Sequence, residues 1–327
     1  VTVLGGGGLR GSKSVENDIV RVVEYVRQSG EVSSVAVEAC TVSSVFAEQL
    51  KKATGWEVKL CHPGYVNRMG HNPDKSDKTD SYLLADLNRV GYLPEVWLAP
   101  EEVRELRALV RYRKQIVDRR KVVKVRLRAI LRQHRLKLPE EINNLWTERG
   151  IGWLASLTTL PGQTLWIIKR HLLEYRHATE ELKEAEAPLR EITAEDVLVR
   201  KLLEKPGIGL VAATAIRAEV GTFTRFRTWK QLSRFCGVTP RNSSSGEKQA
   251  DAGLIRAGNP VLKTALIEAS HTLMRYDIRW KSFAKKLKAQ GKPYGVIVAA
   301  VANRWVRSLF HEMCGIERGM VDAVVCQ

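Results

Sequence analysis

Apolar residues recur along this chain in two rhythms, and the rhythm changes near Pro100. Before it, short apolar runs alternate with amphipathic stretches. Val1 to Leu4 reads as a stub of strand, closed by the turn Gly5-Gly6-Gly7-Gly8. Val15, Ile19, Val23 and Val26 fall near one face of a helix. Val35-Ala36-Val37-Glu38-Ala39 reads as a buried strand, residues 43–53 as a helix, and Glu57 to Cys61 as a further short strand. Strand, helix, strand and helix in alternation predict an α/β layer.

After Pro100 the helical period takes over. Residues 101–137 form one long stretch with Val103, Leu106, Val110, Val117, Leu127 and Ile130 as its apolar positions, ended by Pro139. A second long helix spans Leu165 to about Leu189, where Leu165, Ile168, Leu172, Tyr175, Thr179 and Leu182 alternate by three and four as a coiled-coil seam does. Two such helices separated by residues 139–164 predict an arm. From Ala194 the pattern is compact and helical, with helices over Leu210–Val220, 259–276, 278–290 and 293–313. Trp229, Trp280 and Trp305 sit at helical positions that suit core anchors.

The chain has 327 residues, enough for two or three domains with their own cores. Its 53 Lys plus Arg against 36 Asp plus Glu give a net charge of +17. Such an excess points to a polyanionic partner, nucleic acid first and an acidic membrane surface second. The stretch 101–137 alone carries 14 Lys plus Arg and four acids, which suits phosphate-backbone contact better than salt-bridge lacing. No run is long and apolar enough to predict a membrane span. Cys40, Cys61, Cys236, Cys314 and Cys326 are odd in number and lack C-x-x-C spacing. They argue for a reducing compartment and against a zinc site.

Four places carry candidate chemistry. Asp77 and Asp80 are three apart at a helix start, so both carboxylates share one face, and Glu38 ends a strand upstream. A strand-end carboxylate with two more on a helix is a common plan for a divalent-metal phosphoryl-transfer site. The glycine run at 5–8 lacks the spacing of a phosphate loop and reads as a hairpin turn. Lys205-Pro206-Gly207-Ile208-Gly209 enters a helix and is either a backbone cradle for phosphate, as in helix-hairpin-helix elements, or an ordinary tight turn. Arg241-Asn242-Ser243-Ser244-Ser245-Gly246-Glu247-Lys248 is either a flexible linker or a nucleophile loop whose Arg241 and Lys248 hold phosphate oxygens.

Taken together, Val37-Glu38-Ala39-Cys40, Lys75-Ser76-Asp77-Lys78-Thr79-Asp80, Leu106-Arg107-Ala108-Leu109, Lys205 to Gly209, Phe235-Cys236-Gly237-Val238-Thr239-Pro240-Arg241, Ser245-Gly246 and Arg256-Ala257-Gly258-Asn259 resemble the DEDD-type transposases of the IS110 group. These are bridge-RNA-guided recombinases of the serine type. The motifs run in the family's order over residues 1 to about 314. The resemblance implies an α/β RNase H-like (RuvC-like) domain over 1–100, a basic helix and coiled-coil arm over 101–193, and a helical transposase domain over 194–315, with 316–327 unassigned. The 1–100 domain is expected to be incomplete, with its first strand missing. The resemblance implies Glu38, Asp77 and Asp80 as Mg²⁺ ligands and Ser245, or Ser244 one register back, as the residue that attacks DNA. Arg241, Lys248, Gly207 and Gly209 would hold substrate. The expected partners are DNA, a guide RNA and further copies of the chain through the arm, in a prokaryotic cytoplasm at the nucleoid. The family also opens with a strand carrying a first Asp, whereas no Asp precedes Asp18 here. The expectation is a fragment or a decayed copy. Two rival readings accompany this one: a Mg²⁺-dependent RuvC-like junction nuclease, and an inactive nucleic-acid-binding remnant.

Overall fold

The structure, a computed structural model, describes residues 1–6, 8–69, 76–242 and 251–325. They divide into two compact units, Val1–Pro100 and Glu101 onward.

In the first unit β1 (Thr2–Gly5) and β2 (Gly8–Ser12) form an antiparallel hairpin across the glycine turn. Helix α1 (Ile19–Arg27) buries Val22 and Val26, and Asp18 caps it by accepting the Arg21 N–H at 3.0 Å. The predicted face with Val15 and Val23 is thus rotated, and Asp18 is the residue just before the helix. A second, three-stranded sheet runs β3–β4–β5. Strands β3 (Ser34–Glu38) and β4 (Glu57–Cys61) are parallel, joined through α2 (Ser43–Thr54), and β5 (Glu95–Val96) returns antiparallel on β4. Helices α3 (Pro63–Met69) and α4 (Asp77–Arg89) follow β4. Cys61, Val66, Leu84 and Leu93 form the local core. The β1–β2 hairpin is a sheet of its own, and among the described residues the α/β layer expected from the resemblance consists of the β3–β4–β5 sheet with its helices.

The second unit starts with α5 (Glu101–Gln133), which pairs antiparallel with α7 (Gly162–Thr193), the two being joined through α6 (Glu148–Ala155). Ile116 packs with Ala178, Leu182 and Ala185 at mid-length. Val123, Leu127 and Leu131 pack with Ile168, Leu172 and Tyr175 at the far end. The buried positions Ile116, Leu131 and Ala178 replace the predicted Val117, Ile130 and Thr179. Neighbouring apolar residues are equivalent to a 3.6-residue period, and only the partner helix decides between them. Helix α5 stops at Gln133, six residues before Pro139. Arg135 has φ 54°, its N–H bonds Arg132 O at 3.0 Å, and Leu136 N–H reaches back to Leu131 O at 2.9 Å. This is a Schellman end closed by arginine instead of glycine.

Leu106, Val110 and Leu189 at the near end pack on Ala215 and Ala218 of α9 (Leu210–Val220). The largest core joins α8 (Val197–Leu203), α9, α10 (Trp229–Phe235), α11 (Pro260–Tyr276), α12 (Ile278–Ala289) and α13 (Tyr294–Val325). Trp280 and Trp305 are buried in it and Trp229 packs on its edge. Residues 316–325 continue α13. There Glu317 accepts the Phe223 and Thr224 N–H groups, each at 2.8 Å. Among the described residues no helix is long and apolar enough to cross a membrane.

Candidate functional site

Asp77 and Asp80 occupy the first turn of α4. Ser76 Oγ accepts the Thr79 N–H at 3.2 Å, and Thr79 Oγ1 accepts the Ser76 N–H at 3.1 Å. A helix start with this capping box favours carboxylates, because its free N–H groups and macrodipole attract negative charge. The pair therefore stabilises α4 whether or not a ligand is bound. Glu38 ends β3 and has Cys61 as its partner across the parallel ladder. Burial first, and the Glu38 charge second, push the Cys61 thiol up to about 11.

All three carboxylates line one cavity of about 630 Å³, walled by β1, β3 and α4. Thr2 Oγ1 on β1 and Ser81 Oγ on α4 are 2.7 Å apart, fixing that wall beside Asp80. Asn88, also on the wall, donates from Nδ2 to Ser34 Oγ at 2.9 Å, while its buried Oδ1 has no partner among the described residues. An unpaired buried acceptor costs about 1–3 kcal/mol, so this wall favours a donor. Carboxylate oxygens are the hard donors that Mg²⁺ takes. Yet among the described residues no three His, Cys, Asp or Glu side chains stand close enough to coordinate one ion. The donor type fits a divalent cation, although the three carboxylates do not converge on one point. The expected Mg²⁺ cage of Glu38, Asp77 and Asp80 is thus reduced to three carboxylates on one cavity.

The serine segment belongs to the second unit. Ser244, Ser245 and Lys248 lie outside the described residues. The strands that flank them do not: β6 (Pro240–Asn242) pairs antiparallel with β7 (Asp251–Leu254), and Arg241 is exposed on β6. The segment read as a linker or nucleophile loop is thus flanked by two paired strands. The base of the strand pair is tied from several sides. Ile255 N–H bonds Thr239 O at 3.0 Å, and Asn259 N–H bonds Phe235 O at 2.8 Å. Asn303 Nδ2 on α13 donates to Ser233 Oγ at 2.6 Å and to Val238 O at 3.2 Å. Gly237, at φ 73°, abuts Gly258 backbone to backbone. Cys236 within this base is buried, and burial pushes its thiol up to about 12.

The Lys205–Gly209 turn has a packing reason for its first glycine. Gly207 has φ 85°, and a Cβ there would lie 2.6 Å from Thr272 Cβ on α11. Gly209 faces open space and precedes α9 without a side-chain cap, so the first N–H groups of α9 are not capped by its side chain. Lys205 Nζ is 2.5 Å from Glu312 Oε1.

The basic helix divides in two. Its near half is ion-paired. Arg111 clasps the buried Glu219 at 3.0 and 3.1 Å, Arg107 stands 3.7 Å from the same carboxylate, and Arg113 meets Glu186 at 2.6 Å. Arg119 and Tyr112 both reach Glu181, and Lys114 reaches Asp118. Burial pulls the Arg107 pKa below its ordinary value, and the Glu219 charge pushes it back. Asn259 Nδ2 also donates to Glu219, at 2.8 Å, so one carboxylate joins the Leu106-Arg107 and Gly258-Asn259 motifs. These residues hold the fold. In the far half, Lys121, Arg126, Arg128, Arg132, Arg135 and Lys137 are exposed and, among the described residues, no carboxylate pairs with them. The charge pattern alone reads as one basic face, whereas among the described residues the exposed cations without a carboxylate partner gather in this half.

Residues 9–135 match the DEDD-type IS110 transposase model, and residues 199–285 match the model of the IS116/IS110/IS902 transposase family. The chain is 24% identical over 259 residues to the transposase for insertion sequence element IS1111A of Coxiella burnetii, covering 79% of this chain and 71% of that one. It is 24% identical over 282 residues to the transposase for IS1328 of Yersinia enterocolitica, covering 84% and 81%. A pilin gene-inverting protein of Moraxella bovis is 24% identical over 258 residues, covering 76% and 70%.

Proposed function

We propose, on the premise that this chain belongs to the IS110 family of transposases, that it cuts and rejoins DNA by transesterification through Ser245, with Ser244 as the alternative register. The observation that carries this reading is the rigid base under the serine segment. Strands β6 and β7, which flank the serine segment in sequence, are anchored by Asn259, Asn303 and the Gly237–Gly258 contact, which argues for a structured support for a nucleophile there.

In this scheme the Ser245 oxygen attacks phosphorus, a P–O ester bond of the strand breaks, and the freed strand hydroxyl takes the proton. One phosphoester replaces another, so the reverse attack by a new strand end rejoins DNA without an external energy source. Arg241 and Lys248 would offer charge-assisted hydrogen bonds to the non-bridging oxygens. Glu38, Asp77 and Asp80 share one cavity, which supports a role for them in binding a divalent cation such as Mg²⁺. A bound cation would neutralise phosphate charge there. The unpaired cations of the far half of α5 support backbone contact with nucleic acid. Val122, Val125, Trp166, Ile167 and Leu173 are exposed on that same half of the α5–α7 pair. They support contact with a second copy of the chain. Guide-RNA pairing as the source of site choice rests on the resemblance alone.

The rival reading, water-driven hydrolysis, needs the carboxylates and not the serine. A plasmid recombination assay with paired element ends separates the two. Ser245→Ala or Ser244→Ala should abolish joint-product formation. Full recombination in both variants overturns the serine mechanism and leaves the hydrolytic one.

A further inference from the structure

A second cavity, of about 760 Å³, opens where α11, α12 and the start of α13 meet. Of the motifs named above only the Gly207 turn reaches it, abutting Thr272 on its lining. Five cations line it: Arg275, Lys281, Lys285, Lys288 and Lys292. No carboxylate does, and among the described residues none of the five is ion-paired. Three rings line it as well: His271, Tyr276 and Tyr294.

The arrangement costs the fold stability. Lys281, Lys285 and Lys288 repeat at intervals of four and three on α12, and like charges at those spacings repel on a helix. Lys281 also stands in the first turn of α12, where the macrodipole opposes a cation. The chain then turns back at Gly291, and Lys292 N–H bonds Leu287 O at 3.2 Å, which adds a fourth ammonium to the same edge. Among the described residues none of these ammonium groups has an ion-pair partner, and the nearest acid in sequence, Asp277, caps α12 through the Trp280 N–H, whereas an anion in the cavity would offset the repulsion. The rings add a second demand. Tyr276 and Tyr294 are 68% and 63% exposed, so most of each ring surface stays open although Arg275 lies over Tyr276 and His271 packs beside Tyr294. Tyr294 is held in place by a 2.7 Å hydrogen bond between its hydroxyl and His271 Nδ1. Free phosphate would need the cations only. A duplex would present its phosphates but keep its bases stacked inside.

We propose that this cavity binds a single-stranded polynucleotide, its phosphates along the Lys281–Lys292 edge and a base stacked on Tyr276 or Tyr294. The proposal extends the transposase reading by naming a strand-binding site away from the serine segment. It does not need Ser245 to be the nucleophile, because its readout is binding.

Fluorescently labelled dT20, U20 and a 20-base-pair DNA duplex are titrated against the full chain and against three variants, each checked for wild-type melting. Lys281→Ala/Lys285→Ala/Lys288→Ala should weaken single-strand binding about tenfold or more and lower the log–log salt slope by about 2. Tyr276→Leu/Tyr294→Leu should weaken it about tenfold with the slope unchanged. The charge-matched Arg126→Ala/Arg132→Ala/Lys137→Ala variant on α5 should leave the tyrosine effect intact. A tighter hold on dT20 assigns the strand as DNA and a tighter hold on U20 assigns it as RNA. Wild-type binding of dT20 and U20 by the lysine variant overturns the site. Loss with the lysine variant but none with the tyrosine variant overturns the single-strand claim, as does an equal loss for the duplex in both variants.

Discussion

Gly237 and Gly258 touch through their backbones. A Cβ built on Gly258 would lie 2.2 Å from Gly237 Cα and 2.6 Å from Gly237 N. The two residues belong to separate motifs, Phe235–Arg241 and Arg256–Asn259, and their approach closes the base of the β6–β7 pair that flanks the serine segment in sequence. Gly258→Ala forces backbone against backbone and should destabilise the second unit by about 1–3 kcal/mol or more. Gly209→Ala meets nothing within 4 Å and should cost under about 1 kcal/mol. Urea unfolding of the two variants beside the wild type checks the contrast.

Glu219 is the buried hub between α5, α9 and the start of α11. Glu219→Ala strands Arg107 without its counter-charge and should cost about 3–5 kcal/mol in the same unfolding assay. Glu219→Gln keeps the shape and a hydrogen-bonding group for Arg111, and should cost less. If both variants melt with the wild type, the hub contributes nothing to stability.

The thiols should separate by burial. Cys40 is exposed, while Cys61 and Cys236 are buried and pushed up to about 11 and about 12. Between pH 9 and 10 the unfolded chain ionises these two thiols and the folded chain does not. The unfolded state then binds fewer protons, so stability falls as pH rises through that window. Mass spectrometry after a short thiol-reagent pulse at pH 8 should find Cys40 labelled ahead of Cys61 and Cys236. Unfolding midpoints at pH 8.5 and 10 should decline, and Cys236→Ser should flatten the decline.

Nucleic-acid affinity should depend on the far half of α5. Replacing Arg126, Arg132 and Lys137 together by alanine should lower the salt slope for duplex DNA by about 0.9 for each phosphate that is no longer neutralised. Replacing Arg113, which is ion-paired to Glu186, should leave the slope unchanged and lower the melting temperature instead. Filter binding from 50 to 300 mM salt, a range where such slopes are steep, distinguishes the two.

Local pattern made much of the fold legible. The small-residue helix 210–220 is bounded by Gly209 and Gly221, and both ends fall where the sequence puts them. The length of α5 was readable and its inward face was not, because Ile116–Val117 and Ile130–Leu131 are interchangeable until α7 is in place. The β6–β7 hairpin was illegible: its strands have three and four residues, and α10, α11 and α13 set its base rather than any alternation. Glu219 could not be paired from sequence, since Arg111 is 108 positions away. The shared cavity of Glu38, Asp77 and Asp80 followed from strand-end and helix-face reasoning, while its lack of metal-ready spacing depends on tertiary detail. The lysine cavity did leave a signal, the acid-free spacing of Lys281, Lys285 and Lys288, which resembles a solvated face until α11 and α13 close around it.

The central claim, serine attack on DNA, is tested most directly by trapping the covalent intermediate. A nicked element-end substrate that loses its leaving strand is incubated with the chain and Mg²⁺, digested with protease and nuclease, and sequenced by mass spectrometry. The account predicts a phosphonucleotide on Ser245 or Ser244, absent from the corresponding Ala variant. Cleaved DNA with no adduct on the 243–250 segment, or an adduct on another residue, would contradict it.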